Sequence, residues 1–431
     1  MKYFIVLFLC LLCFSCQKKI DKKPEANQPN VIFISIDDLN DWIEPLGGHP
    51  QAKTPNITMF SNEAVTFNRA YTASPGCNPS RGAILTGLHT YTSGLYSNYQ
   101  DWREIPIMKE GPTLNRYFKN NGYYTAGAGK IYHYDQTDVE GWDDYFPSKT
   151  KPMPADNLPE NRPLNMPRYK YMYGMFDWGA LDIDDEQTAD YQSVNYIKEQ
   201  LNRKHDKPFF LACGIYRPHV PWYVPKKYYD MFPLDSVMLP KIKADDTSDL
   251  GAFAQKEIIE RGGNYNKHVI AANQQKKATQ GYLASIAYAD AMFGNLMKAL
   301  KESDYANNTI VVLWSDHGWQ LGEKKHWRKF ALWENVNRSV LMIQAPQIEK
   351  KLPSGAKTGN AESLVSLIDI YPTLIDLCEL PKRDDLDGES LLPLLKEPLT
   401  EIERPIITTY DYGSYSVRYQ KWHFIKYIDD S

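Results

Sequence analysis

The chain has 431 residues, and 43% of them are hydrophobic, so it is long enough to bury one large core with a smaller appended unit. The 49 basic and 53 acidic side chains are spread along the sequence and leave a net charge of −4. Because no basic stretch stands out, nothing in the sequence predicts binding to nucleic acid.

The first 30 residues are predicted to form an export leader and a tether. Lys2 gives a positive start, residues 4–14 form an apolar run too short to span a membrane, and Cys16 follows a small serine. This context resembles a bacterial lipoprotein cleavage site. We therefore expect residues 1–16 to be a lipoprotein signal peptide, Cys16 to carry a lipid, and residues 17–30 to be a tether.

An ordinary cleaved signal without a lipid is the alternative for this leader. Both interpretations predict an exported protein of the periplasm or cell surface. A lipid anchor at Cys16, in the first interpretation, is the only contact with a membrane that we expect.

From residue 31 to residue 393, apolar runs of strand length alternate with helical patterns. Strands are predicted at 31–36, 124–128, 209–215, 310–315 and 340–344. Helical stripes follow Gly281 and cover about 364–377. This alternation predicts an α/β catalytic domain, 31–393, whose mostly parallel sheet is flanked by helices.

Two segments interrupt the pattern, at 151–168 and 241–277. They are polar, charged or rich in proline, so we expect long surface insertions that carry substrate specificity, together with the surroundings of Trp222 and Trp319.

The chain after about residue 393 has a different pattern. Short tyrosine-rich runs at 406–410, 415–419 and 422–427 predict a small antiparallel C-terminal subdomain over 394–431. Because the last run stops at Ser431, we expect this subdomain to be incomplete.

Polar residues follow four of the predicted strands, where the loops of a parallel sheet converge on one edge. Adjacent carboxylates in one pocket repel each other unless a cation neutralises them. Asp37, Asp38 and Asp316 together therefore predict a divalent metal. Oxygen ligands favour Ca²⁺ or Mg²⁺, whereas an imidazole also suits Mn²⁺ or Zn²⁺. The residues at the four strand ends are Asp37 and Asp38, Lys130 and His133, Arg217 and His219, and Asp316 and His317.

Cys77 lies in an unusual turn of Gly, Asn, Pro and Ser. Pro79 can begin a helix, which would place Cys77 just before a helix N-terminus, where backbone N–H groups favour an anion such as sulfate or phosphate. Arg81 adds a fixed cation in the first turn. A free cysteine in a turn is the alternative. Cys213 and Cys378, the other cysteines after the leader, fit an apolar core.

The motif CNPSR at 77–81, followed by TG at 86–87, resembles the signature of type I sulfatases, in which the cysteine is converted to Cα-formylglycine. The motifs at the strand ends occur in the family's order across about residues 30–430. The closest subgroup is the iduronate 2-sulfatase-like branch, which shares the histidine after Asp316 and the FDWG run at 176–179. Gly76 and Asn78 depart from the commonest neighbours of the signature cysteine.

This resemblance implies an alkaline-phosphatase-like fold and a sulfuric ester hydrolase that acts on a sulfated mono- or oligosaccharide. It also implies a formylglycine-generating maturation enzyme as a partner, and attack on sulfur by the hydrated aldehyde at position 77. The metal would be held by Asp37, Asp38, Asp316 and His317.

The remaining roles are likewise implied by the resemblance. His133 and Arg81 would hold the geminal diol, and His219 would protonate the leaving sugar oxygen. Lys130 and Lys329 would neutralise the sulfate oxygens. Lys329 is preferred to Lys324 and Lys325 because of its offset from Asp316. Structural histidines and a solvated basic loop are the alternatives for these residues.

The resemblance suggests a 2-O-sulfate of a uronic acid in a glycosaminoglycan, or a sulfate of another polysaccharide, as the substrate. The main alternative is a phosphodiesterase or phosphonate monoester hydrolase of the same superfamily, and the intact CNPSR pattern with two separate lysines favours sulfate. A non-catalytic glycan-binding lipoprotein is the second alternative, but it would not need this set of acid, base and metal ligands.

Overall fold

The computed structural model describes residues 28–156, 158, 165–166, 175–346 and 358–428. The predicted leader and almost all of the tether lie outside these ranges, as does much of the predicted insertion at 151–168. Among the described helices, none has the length and apolar character needed to cross a membrane.

An eight-stranded mixed sheet forms the centre of the domain, in the order β13-β2-β12-β9-β1-β7-β4-β5. The eight strands are β1 (Asn30–Ile36), β2 (Val65–Phe67), β4 (Tyr124–Gly129), β5 (Asp144–Phe146), β7 (Phe209–Ile215), β9 (Thr309–Ser315), β12 (Leu341–Gln344) and β13 (Gly359–Ala361). The short pairs are β3 (Ala70–Tyr71) with β14 (Val365–Ser366), β6 (Trp178–Leu181) with β8 (Trp222–Pro225), and β10 (Gln320–Leu321) with β11 (Trp327–Arg328).

The middle of the sheet explains the apolar runs of the sequence. Every residue of β1 is buried, and β1 pairs in parallel with both β7 and β9. Its side chains alternate between two cores, with Ile32, Ile34 and Ile36 on one face and Val31 and Phe33 on the other. The predicted α/β fold with a mostly parallel sheet is therefore confirmed, and β12 is an antiparallel member beside β9.

Helices cover both faces of this sheet, as expected for strands that are buried on both sides. They are α1 (Pro55–Ser61), α2 (Cys77–Thr86), α3 (Thr90–Ser93), α4 (Pro106–Glu110), α5 (Leu114–Asn120), α6 (Ala189–Leu201), α7 (Lys226–Asp230), α8 (Glu260–Ala271), α9 (Gln275–Glu302), α10 (Glu334–Asn337), α11 (Ile370–Leu377) and α12 (Leu392–Lys396).

Two segment predictions need correction. The helix predicted over 364–377 begins only at Ile370, because residues 365–366 pair with β3 and the Ser366 amide is capped by Asp369. The predicted insertion at 241–277 is largely helical from Ala254 onward, because Ile258, Tyr265 and Val269 form a buried stripe that packs it onto the body.

The role predicted for the surroundings of Trp222 and Trp319 in substrate specificity stays a prediction, and the two rings themselves are buried. The two indole rings lie 6.0 Å apart inside the core, and their side chains are only 0% and 2% exposed. Neither ring is available as a platform for a sugar.

A three-stranded antiparallel sheet forms the C-terminal unit, as predicted, from β15 (Ile406–Asp411), β16 (Ser414–Tyr419) and β17 (Trp422–Lys426). The Thr408 hydroxyl donates to the Thr72 carbonyl at 2.7 Å, and the Thr409 amide donates to the Ala73 carbonyl at 2.8 Å. This small sheet therefore supports the backbone that leads into Cys77.

Candidate active site

The loops after β1, β4, β7 and β9 meet the first turn of α2 at one edge of the sheet, as the strand-end argument predicts. One buried cluster contains nine of the ten predicted site residues, and His133 lies half-buried beside it. The nine are Asp37, Asp38, Cys77, Arg81, Lys130, His219, Asp316, His317 and Lys329.

Cys77 is the first residue of α2, which differs from the predicted helix start at Pro79. Gly76 is the extended N-cap residue, and its carbonyl accepts the first helical hydrogen bond from the Ser80 amide at 2.9 Å. The helix can begin before Pro79 because a residue in the first turn needs no intrahelical N–H partner. Cys77 therefore lies within the N-terminal turn rather than ahead of it.

The Cys77 Sγ atom is surrounded by nitrogen atoms. It lies 2.8 Å from the Lys329 Nζ atom, 3.3 Å from the His317 Nε2 atom and 3.9 Å from the Lys130 Nζ atom. Burial raises the pKa of the thiol to about 12 in spite of the two lysines, so an unmodified cysteine here stays protonated near neutral pH. Cys213 and Cys378 are free and buried, as expected of core residues.

Arg81 is buried and its guanidinium already has several partners. Its Nε atom donates to Asp316 at 2.9 Å, one Nη atom donates to Asp37 at 3.1 Å, and the other donates to the Lys130 and Ile131 carbonyls at 2.5 and 3.1 Å. This geometry favours a role in holding two carboxylates in place. The role in holding the diol at position 77, which the resemblance implies for Arg81, stays a prediction.

Asp37 and Asp38 are neighbours in the sequence, and their pKa values shift in opposite directions. Burial alone would raise the pKa of Asp37, but ion pairs with Lys130 and Arg81 outweigh it and hold that pKa well below its usual value. For Asp38, burial dominates over the nearby Lys329 and raises the pKa to about 7. Asp38 also has a left-handed backbone, with φ of 61°, a conformation that non-glycine residues seldom adopt.

The carboxylates and imidazoles suit a divalent cation. Among the described residues, nothing donates a hydrogen bond to the buried Oδ2 atom of Asp38. Ligand atoms of Asp37, Asp38, Cys77 and His219 lie within 4.8 Å of one another, and those of Cys77, Asp316 and His317 form a second such group. Because a buried carboxylate oxygen without a donor is costly, this donor set fits a metal.

His317 is a neutral imidazole at the centre of the cluster. Burial lowers its pKa to about 4, although Asp316 opposes this shift. Its ring nitrogens lie 3.6 Å from an Asp38 oxygen and 3.5 Å from an Asp316 oxygen. A neutral imidazole beside two carboxylates is the form that binds a metal.

His219 and His133 flank the cluster. The Nδ1 atom of His219 lies 2.6 Å from the Val220 carbonyl, which leaves its Nε2 atom facing Asp38 Oδ2 at 3.8 Å. Burial, then Lys329 and Lys130, lower the pKa of His219 well below its usual value. For His133, burial and then Lys130 lower the pKa to about 2, and its ring packs against Tyr134.

Lys324 and Lys325 lie between β10 and β11, whereas Lys329 directly follows β11, and the three lysines have different surroundings. Lys329 is buried in the cluster, with its Nζ atom 2.7 Å from an Asp38 oxygen. Lys324 pairs with Asp246 and Asp249 away from the cluster, and Lys325 is exposed. Of these three lysines, only the one preferred from the sequence reaches Cys77.

Sequence reasoning missed several residues that support the cluster. The Tyr282 hydroxyl donates to the Asp38 carbonyl at 2.7 Å, and the Ser80 hydroxyl donates to the Asp316 carbonyl at 2.6 Å. Ser35 donates to the Lys130 carbonyl at 2.9 Å. Ser80 could have been found from its place in the CNPSR motif. Tyr282 reaches the site from α9, and no motif near it in the sequence indicated this contact.

Comparisons with known proteins agree with this geometry. A family model described as "Sulfatase" matches residues 29–380. A protein named "Sulfatase" from Formosa agariphila is 35% identical, over 99% of this chain and 84% of its own length. The iduronate 2-sulfatase of Homo sapiens is 28% identical, over 90% of this chain and 71% of its own.

Two solved structures share the fold at low sequence identity. A protein in complex with its substrate, D-glucosamine-2-N,6-O-disulfate, has a TM-score of 0.70 and 20% identity, covering 94% of this chain and 90% of its own. A phosphonate monoester hydrolase from Silicibacter pomeroyi has a TM-score of 0.72 and 19% identity, covering 94% of this chain and 88% of its own. Because the family model spans most of the chain and the Formosa relative covers nearly all of it, the chain belongs to the sulfatase family of sulfuric ester hydrolases.

Proposed function

We propose that this chain hydrolyses a sulfate ester on a sugar, with a formylglycine formed from Cys77 as nucleophile and a divalent metal held by Asp37, Asp38, Asp316 and His317. The observation that carries the proposal is the meeting of two lysines and this carboxylate cluster at one buried Sγ atom. Ca²⁺ is the metal we favour, with Mg²⁺ or Mn²⁺ as alternatives.

The charge of the pocket supports an anionic substrate. Three cations, Arg81, Lys130 and Lys329, lie against three carboxylates, Asp37, Asp38 and Asp316. With the carboxylates ionised these charges cancel, so a bound divalent cation leaves the pocket with an excess of positive charge. A sulfate ester, which is an anion, is attracted to such a site.

The state of Cys77 supports the modified nucleophile. A thiol whose pKa is raised to about 12 is a poor nucleophile near neutral pH. A hydrated formylglycine instead supplies a hydroxyl for attack and a second hydroxyl for release of sulfate, and the bound metal supplies charge that favours the attacking oxygen. We propose that His133, whose pKa is lowered by burial and by Lys130, helps to hold this diol.

His219 is the group we propose as proton donor to the leaving sugar oxygen. Its Nδ1 atom is held by the Val220 carbonyl, so the Nε2 atom is the one that can exchange a proton with substrate. The pKa of this imidazole is low in the pocket without substrate, and an anionic ester nearby raises it. Lys130 and Lys329 neutralise sulfate oxygens from two sides.

For the substrate, we infer a sulfated saccharide, with a 2-O-sulfate of a uronic acid as the specific case. The support is the likeness to iduronate 2-sulfatase across 90% of this chain. We also infer export to the periplasm or cell surface, a lipid at Cys16 and maturation by a formylglycine-generating enzyme, on the leader and the CNPSR motif.

A phosphonate monoester hydrolase is the second candidate, because a solved enzyme of that name shares the fold at a TM-score of 0.72. Both activities bind a tetrahedral oxyanion beside a metal. The separate lysines on either side of Cys77 favour the sulfate.

The proposal is tested with mature protein and a pair of matched substrates, an aryl sulfate and the corresponding aryl phosphonate monoester. We expect a large preference for the sulfate and loss of turnover in Cys77→Ala, whereas Cys213→Ala, a buried cysteine outside the cluster, retains activity. A large preference for the phosphonate would refute the proposal. A panel of defined sulfated oligosaccharides, scored by released sulfate, then identifies the sugar.

A further inference from the structure

We propose that Asp190, which nothing in the family motif marks, is a positioning residue for His219. The inference rests on the proposed function, because it assigns His219 the role of proton donor. Asp190 is the second residue of α6 and its side chain is buried below the loop that carries His219.

Asp190 holds the start of that loop through two hydrogen bonds. One carboxylate oxygen accepts the Tyr216 amide at 2.6 Å, and the other accepts the Arg217 amide at 3.1 Å. A carboxylate that accepts two successive backbone N–H groups fixes both the place and the direction of the chain at that point.

Tyr216 transmits this restraint to the imidazole. Its ring centroid lies 4.6 Å from that of His219, and its carbonyl accepts the His219 amide at 2.9 Å. Its hydroxyl donates to the Val220 carbonyl at 3.2 Å, and the same carbonyl lies 2.6 Å from the His219 Nδ1 atom. A shift of Tyr216 therefore moves the ring that His219 packs on and the group that orients it.

Arg217 restrains the same loop from the other side. Its guanidinium is almost fully buried, donates to the Tyr223 carbonyl at 3.2 Å and pairs with Asp156 at 2.5 Å. The His219 loop is thus held at its start by α6 and beyond it by β8. No hydrogen bond or ion pair among the described residues joins Asp190 to the cluster of Cys77, so its effect on the reaction passes through the segment that it holds. That segment carries His219, and its Tyr216 ring also lies 5.1 Å from the Lys130 Nζ atom.

The experiment uses a series of aryl sulfates whose phenol leaving groups differ in pKa, because protonation of the leaving oxygen matters only for poor leaving groups. In Asp190→Asn we expect kcat/KM to fall about tenfold for phenyl sulfate and by less than about threefold for 4-nitrophenyl sulfate. Because the two rates fall unequally, the dependence of log kcat/KM on the pKa of the leaving phenol, the leaving-group slope, becomes steeper. His219→Ala should change this slope in the same direction and by more. A metal assay should show the metal content of Asp190→Asn unchanged.

Asp290 offers a matched control. It is a buried carboxylate that also accepts two successive backbone amides, from Asn56 at 3.2 Å and Ile57 at 2.8 Å. In both residues burial raises the pKa to about 6. Asp290→Asn should therefore cost similar stability and leave the leaving-group slope at the parent value.

The outcomes distinguish a failure of the proposed function from a failure of the positioning role of Asp190. If the parent protein hydrolyses none of the sulfates, the proposed function fails. If the parent is active but Asp190→Asn lowers all rates equally, leaves them unchanged, or matches Asp290→Asn, the positioning role fails. Should Asp190→Asn not fold, Asp156→Asn at the surface decides the question: a smaller slope change in the same direction supports the role, and an unchanged slope refutes it.

Discussion

The Lys329 ammonium lies 2.8 Å from the Cys77 Sγ atom and 2.7 Å from an Asp38 oxygen, so one side chain joins the nucleophile position to the carboxylate cluster. Burial alone would lower the pKa of this lysine, but the nearby Asp38 charge outweighs burial and raises that pKa above its usual value. It therefore stays charged across the neutral range. A fixed charge in a buried pocket stabilises developing negative charge better than one in water.

Replacing Lys329 tests that charge. We expect Lys329→Met to lower kcat by about 10² to 10³-fold, as when one preorganised donor to a developing anion is lost. The measurement is steady-state hydrolysis of an aryl sulfate. Lys324→Met, on the other side of β11 and paired with Asp246 and Asp249, should remain active. Equal losses in both variants would mean that the segment around β11, and not the Lys329 charge, matters.

Metal dependence is the second prediction. Asp316→Asn removes a negative charge from the cluster and from the ion pair with Arg81, so we expect loss of bound metal and a fall in activity of about 10²-fold or more. Metal content by mass spectrometry and activity after chelation are the two readouts. Asp41→Asn is the control, because Asp41 pairs with Arg338 instead. Full activity in thoroughly chelated protein would contradict the prediction.

Much of this site was predictable from short stretches of sequence. Five strands of the central sheet, β1, β4, β7, β9 and β12, were predicted from their apolar runs. The polar residues at the ends of β1, β4, β7 and β9 converge because parallel strands end at one edge. The family motif then identified Cys77 and Arg81. The apolar runs and the motif can each be read from a few consecutive residues. The convergence of the strand ends follows from the parallel sheet that those runs predict.

What the sequence did not reveal depends on packing between distant segments. Tyr282 reaches the Asp38 carbonyl across 244 positions of the chain. Trp222 and Trp319 pack together in the core, a contact that the sequence did not predict. The Arg81 guanidinium donates to carboxylates and carbonyls of distant segments of the chain, and the sequence did not predict these partners. None of these contacts leaves a periodic pattern in the sequence.

The raised pKa of Asp38 leads to a third prediction, on proton release. Because burial raises the pKa of Asp38 to about 7, this carboxyl is mostly protonated at pH 6 and mostly ionised at pH 8 in metal-free protein. Metal binding requires the ionised carboxylate, so adding Ca²⁺ should release close to one proton at pH 6 and almost none at pH 8. Calorimetry in buffers of different ionisation enthalpy measures this number.

The raised pKa of Asp38 also determines how the free energy of unfolding of the metal-free protein depends on pH. The folded pKa of Asp38 lies above the unfolded value, so its ionisation destabilises the metal-free fold fully above pH 7 and progressively less toward pH 4. The buried His317, with a pKa of about 4, stays neutral at pH 6 and 8 and adds no proton of its own. Equal proton release at the two pH values would show that Asp38 is not the linked group.

The fourth prediction concerns the chemical state of position 77. Conversion of the Cys77 thiol to an aldehyde lowers the intact mass by about 18 Da and creates a group that reacts with aminooxy reagents. We expect both signatures in active protein produced with a maturation enzyme, in a peptide that contains residues 77–81. Cys213→Ala should retain them, since Cys213 is buried in β7 outside the motif. Cys77→Ala should lose both. Protein with full activity and an unmodified thiol at Cys77 would refute the aldehyde mechanism, because a buried thiol that stays protonated cannot replace it.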